Sequence, residues 1–509
     1  MVFFKYIWDD KLAYLFSFFF LGFLIFFLRH WSYDDPYITY RYTYNLIYRK
    51  EFAYNVGERI LSTTSPFFAV LLSVPALFIK NIPLIASLMG CFALAASGFI
   101  LWNIGKIWQY SLLSWVGLIL LPVFPLTVST LSSETPLYIC AGLLSFFFYE
   151  KGKYSLAFLA SAIMVFFRPD GVILPTILFC HYFISQKKIP LLPVGIFLII
   201  NLIWWGFLWL YFGSPIPVTL FAKQQQGEMA ISQKFFWGIF TILKGYQKNP
   251  LYWLEAVFAL LGVIYAVTKQ HRGLILVGYT LLYFLAYSLL GVSRYFWYYA
   301  PLVPGFILMI GFGFQWIWDL SNRLSPGAKR SLQVVLLLIV VMMAVNQMSG
   351  VVRLSLNPDK RIGIYRDIGR WINQHTNPFD KIGALEIGVI GYYADRYMVD
   401  FAGLLQPPVA KRMSRTSTYE DIALFAISNY KPNFIILHEG AFPKLEAKLQ
   451  VNCQKVKRFI ARNYGVTYNM RIYSCHYSAG GKEDERKSPM EVGALGKLFY
   501  IGAGGIGFP

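Results

Sequence analysis

Long apolar segments separated by short polar loops are the dominant pattern of this chain. A helix needs about 20 predominantly apolar residues to cross a bilayer, and the runs of this kind are predicted spans. They lie at residues 12–28, 82–102, 111–131, 136–149, 154–167, 171–184, 189–212, 250–268, 273–291, 296–317 and 331–350. One further run, 66–79, is shorter and contains Pro75, which predicts an interfacial or re-entrant helix.

Basic residues in the short loops predict how these eleven spans are oriented. When 66–79 is not counted as a span, one set of loops shares the side of Lys5 and Lys11 and carries Lys106, Lys151, Lys153, Lys187, Lys188, Lys269, Arg272, Arg323, Lys329 and Arg330. The short loops of the opposite side keep only Arg168 and Arg294. Because cytoplasmic loops are enriched in Lys and Arg, we predict a cytoplasmic N-terminus and an extracytoplasmic C-terminus in the plasma (inner) membrane.

The chain changes character after residue 350. Residues 1–350 form the predicted transmembrane domain, with two long outer loops at 30–81 and 213–249. Residues 352–477 alternate helical and strand-like signals, which predict a small extracytoplasmic α/β domain. Residues 478–509 lack periodicity and are predicted to be a disordered tail. The predicted fold class is therefore a polytopic α-helical membrane protein with a C-terminal α/β domain.

Composition supports this class and excludes others. Of the 509 residues, 57% are hydrophobic and only 14% are charged, whereas soluble domains have about 25% charged residues. The net charge of +20 would suggest nucleic acid in a soluble protein, but here the charges lie in short loops beside spans, and we expect no nucleic-acid partner. Cys453 and Cys475 lie in the polar C-terminal region, where a disulfide or two free thiols are both open.

Two adjacent carboxylates follow the first apolar run. Asp34 and Asp35 precede Pro36 and an aromatic segment that begins with Tyr37. One interpretation is structural, with Asp at a helix cap and Pro in the first turn. The other is catalytic, because a carboxylate at the boundary between water and lipid can act as general base on a hydroxyl. The residues alone leave both interpretations open.

Basic residues near the predicted spans are candidate contacts to an anionic lipid headgroup. Arg41 follows the two carboxylates by one to two helical turns, Lys223 ends a proline-stiffened loop, and Arg294 precedes a span. The structural interpretation is an interfacial anchor whose charge reaches water. A guanidinium is also well shaped for paired hydrogen bonds to a phosphate.

Further polar motifs have the composition of turns or helix starts. They are Tyr54-Asn55-Val56-Gly57-Glu58-Arg59, Ser133-Glu134-Thr135-Pro136 and Arg168-Pro169-Asp170-Gly171. For the last of them we expect a structural role.

Taken in chain order, these motifs resemble those of the bacterial GT-C membrane glycosyltransferases, in particular those similar to the terminal arabinofuranosyltransferases of mycobacterial cell-wall assembly. The resemblance covers roughly residues 1–475 and depends on the order of the motifs, since each is weak alone. The ordered set is Asp34-Asp35-Pro36-Tyr37-Ile38, Tyr54 to Arg59, Thr64-Ser65-Pro66, Glu134-Thr135, Arg168 to Gly171, Gly213-Ser214-Pro215-Ile216-Pro217 and Ser293-Arg294-Tyr295. The segment from Tyr365-Arg366-Asp367 to Asp400-Phe401-Ala402-Gly403-Leu404 resembles the start of that family's extracytoplasmic domain.

The resemblance implies a reaction and a set of roles. The reaction is inverting transfer of a sugar from a polyprenyl-phosphate donor to a hydroxyl of a cell-envelope glycan, lipid or protein on the outer face of the membrane. Asp34, or else Asp35, would be the catalytic base. The donor phosphate would be bound by Arg294, Lys223 and Arg41, and the sugar or acceptor pocket would be shaped by Glu134, Arg59, Glu58 and Tyr37.

Two other classes compete with the transferase hypothesis. A transporter of polyprenyl-linked sugars or lipids would use the same charged residues for binding alone, although transporters favour midplane polar residues and repeats. A non-catalytic glycan-binding membrane protein would keep the fold without the reaction. No compact cluster of His and Asp ligands is visible, and we predict no metal or other cofactor, although some GT-C enzymes bind divalent ions.

Overall fold

The structure is a computed structural model that describes residues 10–269 and 273–477. The predicted tail at 478–509 lies outside the described residues, as do Lys5 and Arg272.

Helices account for every apolar run of the sequence. In chain order they are α1 Asp10–Leu28, α2 Pro36–Tyr48, α3 Pro66–Ala76, α4 Ile82–Ile107, α5 Ser111–Leu120, α6 Pro125–Val128, α7 Thr135–Glu150, α8 Tyr154–Phe167, α9 Ile173–Gln186, α10 Leu191–Phe212, α11 Val218–Glu228, α12 Phe235–Tyr246, α13 Pro250–Thr268, α14 Leu274–Leu290, α15 Val303–Ser321 and α16 Pro326–Leu356. Proline opens many of them, because it lacks the N–H that the first helical turn leaves unpaired. Short 3₁₀ turns at Leu121–Val123, Pro169–Val172, Phe296–Tyr298 and Ala300–Leu302 join neighbouring helices.

Length and composition identify the helices that can cross a membrane. Within the described residues seven qualify, and they comprise α1, α4, α5 with α6, α10, α13, α15 with the 3₁₀ turns before it, and the apolar part of α16. Three further apolar helices, α3, α8 and α14, are shorter. At 11 residues α3 is about 16 Å long, well under the thickness of the bilayer core, and the count of eleven spans stays a prediction.

Small residues let two of these helices approach closely. A Cβ on Gly262 of α13 would lie 1.8 Å from the carbonyl oxygen of Met309, and one on Gly313 of α15 would lie 2.0 Å from that of Phe258. Only glycine therefore fits at these two positions. Close packing through small residues is the usual way in which membrane helices associate, because lipid gives no hydrophobic drive.

The C-terminal region is an α/β domain, as predicted. It contains α17 Arg361–His375, β1 Lys381–Ala384, α18 Val389–Ala394, β2 Tyr397–Asp400, α19 Pro407–Ala410, α20 Tyr419–Tyr430, β3 Phe434–His438, α21 Pro443–Asn452, β4 Cys453–Phe459 and β5 Met470–Cys475. The five strands form one sheet in the order β2-β1-β3-β5-β4. Strands β2, β1 and β3 are parallel, whereas β5 is antiparallel to β3 and β4.

A disulfide joins the edge strand β4 to its neighbour β5. Cys453 and Cys475 are directly opposite in the β4–β5 register and are bonded. Of the two alternatives that the sequence left open, the structure has the disulfide. The core beneath the sheet is apolar and includes Phe401, Ile422, Ile435 and Tyr473.

The chain divides into two compact units that do not follow a single boundary along the sequence. The first comprises the described residues up to Pro36 together with Phe67–Asn201 and Ser232–Asp359. The second comprises Tyr37–Pro66, Leu202–Ile231 and the described residues from Lys360 onward. Parts of both long loops thus belong to the same unit as the α/β domain.

Candidate functional site

The two candidate catalytic carboxylates lie between α1 and α2. Asp34 and Asp35 are both half-buried, and Asp35 directly precedes the first residue of α2. Asp35 thus occupies a helix-cap position and Asp34 precedes it in the loop. The structural interpretation therefore fits Asp35, and the catalytic interpretation of the pair stays a prediction.

A buried tyrosine next to them reports which charges are close. Burial raises the pKa of Tyr33 well above its usual value, and the negative charges of Glu134 and Asp35 raise it further. A hydrogen bond with Ser133 and the charge of Arg168 act in the opposite direction. The first unit therefore brings Asp35 and Glu134, two predicted site residues, to the same buried phenol.

Arg168 and Asp170 form a charged cluster beside Glu134. The Arg168 guanidinium donates to Asp170 Oδ2 at 2.7 and 3.1 Å, and its Nη1 lies 3.9 Å from Glu134 Oε1. Burial works against the charge of Arg168, but Asp170 and Glu134 hold its pKa above the usual value. The tyrosine hydroxyls of α14 complete the cluster, since Arg168 donates to Tyr283 at 3.0 Å and to Tyr287 at 2.6 Å.

This cluster was missed by the sequence reasoning, which gave Arg168-Pro169-Asp170-Gly171 only a structural role. The turn does begin a 3₁₀ helix at Pro169, so the turn composition was interpreted correctly. The missed signal was an arginine and a carboxylate together at the end of an apolar segment, where ionisable residues are costly and usually functional.

Arg294 lies in a short antiparallel contact between two segments of the first unit. Its backbone N–H donates to Gln233, and the N–H of Phe235 donates to Val292. The side chain is exposed. A Cβ on Gly238 would lie 2.5 Å from Arg294 Cβ and 2.2 Å from the hydroxyl oxygen of Tyr299, so Arg294 and Tyr299 flank the same glycine.

Tyr299 also lines a large apolar cavity in this unit. The cavity has a volume of about 920 Å³ and lies among α12, α13, α14 and α15. Its walls are mostly aliphatic and aromatic, with residues such as Phe240, Leu260, Phe284 and Phe306. The Arg294 side chain therefore approaches one edge of the cavity at Tyr299.

In the second unit, Arg41 is buried and its guanidinium interacts with other residues of the protein. Its side chain is 2% exposed and donates to the carbonyl oxygens of Gly391 at 2.8 Å, Arg396 at 3.2 Å and Tyr54 at 3.3 Å. Its Nη1 also lies 3.0 Å from Asp395 Oδ1. The guanidinium thus holds α18 and the two residues after it against the motif at Tyr54.

The motif from Tyr54 to Arg59 binds the same segment of the α/β domain. Asn55 exchanges two hydrogen bonds with the backbone of Met398, at 2.9 and 3.0 Å. Tyr397 donates to Glu58 Oε1 at 2.6 Å. Arg59 is exposed, and its guanidinium lies 4.8 Å from the ring centre of Tyr211.

Tyr37 and Lys223 also face this part of the domain. The ring of Tyr37 packs on that of Tyr392, with centroids 5.5 Å apart. Lys223 is buried, and its charge acts on Asp400, a fully buried carboxylate at the end of β2. Burial raises the pKa of Asp400 to about 7, against the opposing effects of three backbone N–H donors and Lys223.

The predicted site residues thus fall into two groups. The first unit holds Asp34, Asp35, Glu134 and Arg294. The second unit holds Tyr37, Arg41, Glu58, Arg59 and Lys223, and all of these except Arg59 contact or act on residues 387–402. In the described part of the chain, no group of three or more His, Cys, Asp and Glu side chains is placed to hold a metal ion.

Comparison with solved structures assigns the architecture. ArnT of Cupriavidus metallidurans, solved with bound undecaprenyl phosphate, superimposes with a TM-score of 0.64 at 14% identity, covering 93% of this chain and 100% of that chain. The same protein in the apo state gives 0.62 at 13% identity, covering 93% and 99%. An oligosaccharyltransferase of Archaeoglobus fulgidus, tethered with an acceptor peptide, gives 0.53 at 11% identity, covering 92% and 74%. The chain has the GT-C fold.

The predicted fold class is therefore confirmed, and the protein is a multi-pass membrane protein of GT-C fold. The resemblance to GT-C proteins is confirmed at the level of fold, and the arabinofuranosyltransferase branch stays a prediction. A family described as a domain of unknown function (DUF8728) matches residues 356–478, which include the α/β domain. No curated protein matches the sequence.

Proposed function

We propose that this GT-C protein is an inverting membrane glycosyltransferase that moves a sugar from a polyprenyl-phosphate donor to an acceptor hydroxyl on the outer face of the membrane. The observation that carries the proposal is the pair Asp34 and Asp35 at the junction of α1 and α2, with Asp35 and Glu134 gathered around Tyr33. The likeness to ArnT solved with undecaprenyl phosphate supports a polyprenyl-phosphate donor.

Asp34 is the proposed general base. It takes the proton of the acceptor hydroxyl while that oxygen attacks the anomeric carbon from the face opposite the phosphate. The bond between the anomeric carbon and the phosphate oxygen breaks, its electron pair leaves with the phosphate, and the configuration inverts. Asp35 is the weaker candidate because it occupies the cap position of α2.

Arg294 is the proposed donor-phosphate contact. Its exposed side chain lies beside Tyr299 at the edge of the apolar cavity of about 920 Å³, which is suited to part of a polyprenyl chain. A cation there would stabilise the charge that develops on the leaving phosphate. Glu134, near Tyr33 and Arg168, is the proposed hydrogen-bond partner of the transferred sugar.

The second group of residues has a different proposed role. Arg41 and Lys223 are both buried in interactions with residues 391–402, so we assign them to positioning this segment rather than to the phosphate. Arg59 is exposed, and together with Glu58 and Tyr37 it stays a proposed contributor to the acceptor pocket. The disulfide between Cys453 and Cys475 supports an extracytoplasmic location for the domain, because such bonds persist in oxidising compartments.

Sugar transfer by purified protein tests the proposal. Native mass spectrometry first identifies the co-purifying polyprenyl-phospho-sugar, and a pentofuranose is the sugar to examine first because of the arabinofuranosyltransferase resemblance. With that donor, Asp34→Asn should lower kcat by at least about 1000-fold, a loss of roughly 4 kcal/mol of transition-state stabilisation. Arg294→Ala should lower kcat/KM for the donor, mainly through kcat, because the cation stabilises the charge that develops on the leaving phosphate.

The control is Asp10→Asn, which changes an exposed carboxylate at the start of α1 and should leave transfer unchanged. Thermal unfolding of each variant separates lost catalysis from lost folding. Full activity in the double variant Asp34→Asn, Asp35→Asn would overturn the catalytic assignment.

A further inference from the structure

The strand order of the α/β domain defines a topological switch point in its sheet. The chain passes from β1 to β2 on one side and then to β3 on the other side of β1, and all three strands are parallel. The strand order therefore changes direction between β1 and β3. In open α/β sheets, ligands bind outside the carboxyl ends of the strands at such a switch point.

Polar and aromatic side chains gather at this position. Glu386 follows β1 by two residues, and His438 is the last residue of β3. His438 Nε2 lies 3.9 Å from Glu386 Oε1 and 3.5 Å from the hydroxyl oxygen of Tyr365 in α17. Tyr468, just before β5, packs its ring edge-on against His438, with centroids 6.2 Å apart.

The side chains of this cluster range from buried to solvent-exposed. Tyr365 is buried, whereas the side chains of Glu386 and His438 are 22% and 19% exposed. Tyr468 is 56% exposed, and Arg361, one helical turn before Tyr365 on the same face of α17, is exposed as well. A ligand could therefore reach Glu386 and His438 from solvent while its apolar face rests on Tyr468.

Glu386 and His438 can form hydrogen bonds while carrying little charge. Burial raises the pKa of Glu386 to about 7, while the charge of Arg361 and a hydrogen bond with Tyr365 oppose the rise. Burial and the charge of Arg361 lower the pKa of His438. Near neutral pH, the imidazole is uncharged and the carboxyl is partly protonated. Glu386 and His438 supply only two metal ligands, fewer than a zinc site uses.

We propose that Glu386, His438 and Tyr468 form the binding site of a neutral saccharide at the carboxyl edge of this sheet. A sugar hydroxyl both donates and accepts, which matches a carboxyl and an imidazole side by side. The C–H face of a sugar ring fits the exposed face of a tyrosine, whose apolar body and polar tip suit such a ligand. An anion, by contrast, would face the Glu386 carboxyl. The identification of this saccharide as the acceptor rests on the proposed function. The binding of a saccharide at this site does not depend on it.

Glycan binding by the full-length protein tests the inference. The protein is reconstituted in phosphatidylcholine nanodiscs, which avoid sugar-based detergents, and is applied without donor to an array of neutral arabino-, manno- and gluco-oligosaccharides. Wild type should bind at least one class. Tyr468→Ala and Glu386→Gln should each weaken that binding at least about tenfold, equal to roughly 1.4 kcal/mol.

Phe379→Ala is the matched control, because Phe379 is a 93% exposed aromatic residue just before β1, at the opposite edge of the sheet. It should bind like wild type. Should Glu386→Gln lower the thermal unfolding temperature, His438→Gln replaces it as the second variant.

Two results would overturn the inference: no binding of wild type to any of the three classes, or equal binding by wild type, Tyr468→Ala and the second variant. The proposed function fails separately. A wild type that binds the array but transfers no sugar contradicts the transferase proposal alone, whereas active transfer with equal binding in all variants contradicts the saccharide site alone.

Discussion

Two buried arginines, one in each compact unit, have different kinds of hydrogen-bond partner. Arg168 in the first unit is surrounded by side chains: Asp170 and Glu134 supply negative charge, and two tyrosines of α14 accept further hydrogen bonds. Arg41 in the second unit is held mainly by three backbone carbonyl oxygens. Among the described residues, Asp395 is the only carboxylate that forms an ion pair with Arg41, and Asp395 also pairs with Arg49.

The difference is visible in the direction of the pKa shifts. Burial acts against the charge of both guanidinium groups, but the carboxylates around Arg168 outweigh it and raise its pKa. Around Arg41, burial prevails and lowers the pKa, although the charge of Asp395 opposes the change, and the nearby charge of Arg49 adds to it. We infer that Arg168 sets the electrostatics of the proposed site, whereas Arg41 fixes the path of the backbone near residues 391–396.

Replacing Arg168 should have the largest effect. Arg168→Met leaves Asp170 and Glu134, whose side chains are only 13% exposed, without their cation, and breaking a largely buried ion pair in this way costs about 3–5 kcal/mol. Thermal unfolding in nanodiscs should show the loss, and sugar transfer should fall by more than the loss of folded protein explains.

The double variant Arg168→Met, Asp170→Asn sharpens this prediction. It removes one uncompensated charge and should recover part of the stability without recovering transfer. An Arg168→Met variant as stable as wild type would contradict the electrostatic role.

Replacing Arg41 should have the next largest effect and should act on folding alone. Arg41→Met leaves three carbonyl oxygens without their donor, at a cost of about 2–4 kcal/mol. Arg41→Lys should recover little, because one ammonium cannot reproduce the planar fork of the guanidinium. Limited proteolysis near residues 391–396, read with thermal unfolding, measures the change.

Arg49→Met is the matched control for Arg41. Arg49 pairs with the same Asp395 at 2.6 Å but is 39% exposed, and exposed ion pairs contribute less than about 1 kcal/mol. If Arg49→Met destabilised the protein as much as Arg41→Met, the backbone contacts would not be the reason that Arg41 is needed.

The same contrast explains how much the sequence could predict. Apolar periodicity placed the helices, because each span must satisfy its own backbone and face lipid. The alternation after residue 350 likewise predicted the α/β domain. Neither signal could show that Arg41 meets Gly391 or that Asn55 meets Met398, since these contacts join residues more than 340 positions apart. Arg168 and Asp170 are two residues apart, yet their tyrosine partners on α14 are over 110 residues away. Local composition therefore showed a turn and concealed the cluster.

A third buried pair, Asp400 and Lys223, gives the smallest and most specific test. Burial raises the pKa of Asp400 to about 7, so the folded protein holds this proton across a range in which the unfolded chain, with a pKa near 4, has released it. The contribution of Asp400 to stability should therefore be largest at low pH, fall as the pH rises from about 4 to 7, and then level off. Because Lys223 favours the ionised carboxylate, Lys223→Met should enlarge this decrease. The difference between the Tm at about pH 5.5 and the Tm at about pH 8 should grow by a few degrees. Lys234→Met, a lysine of the first unit, should leave the pH dependence unchanged. A pH dependence unaffected by Lys223→Met would mean that the Lys223 charge does not act on Asp400, and Arg41 would then be the principal cation acting on the segment that leads into β2.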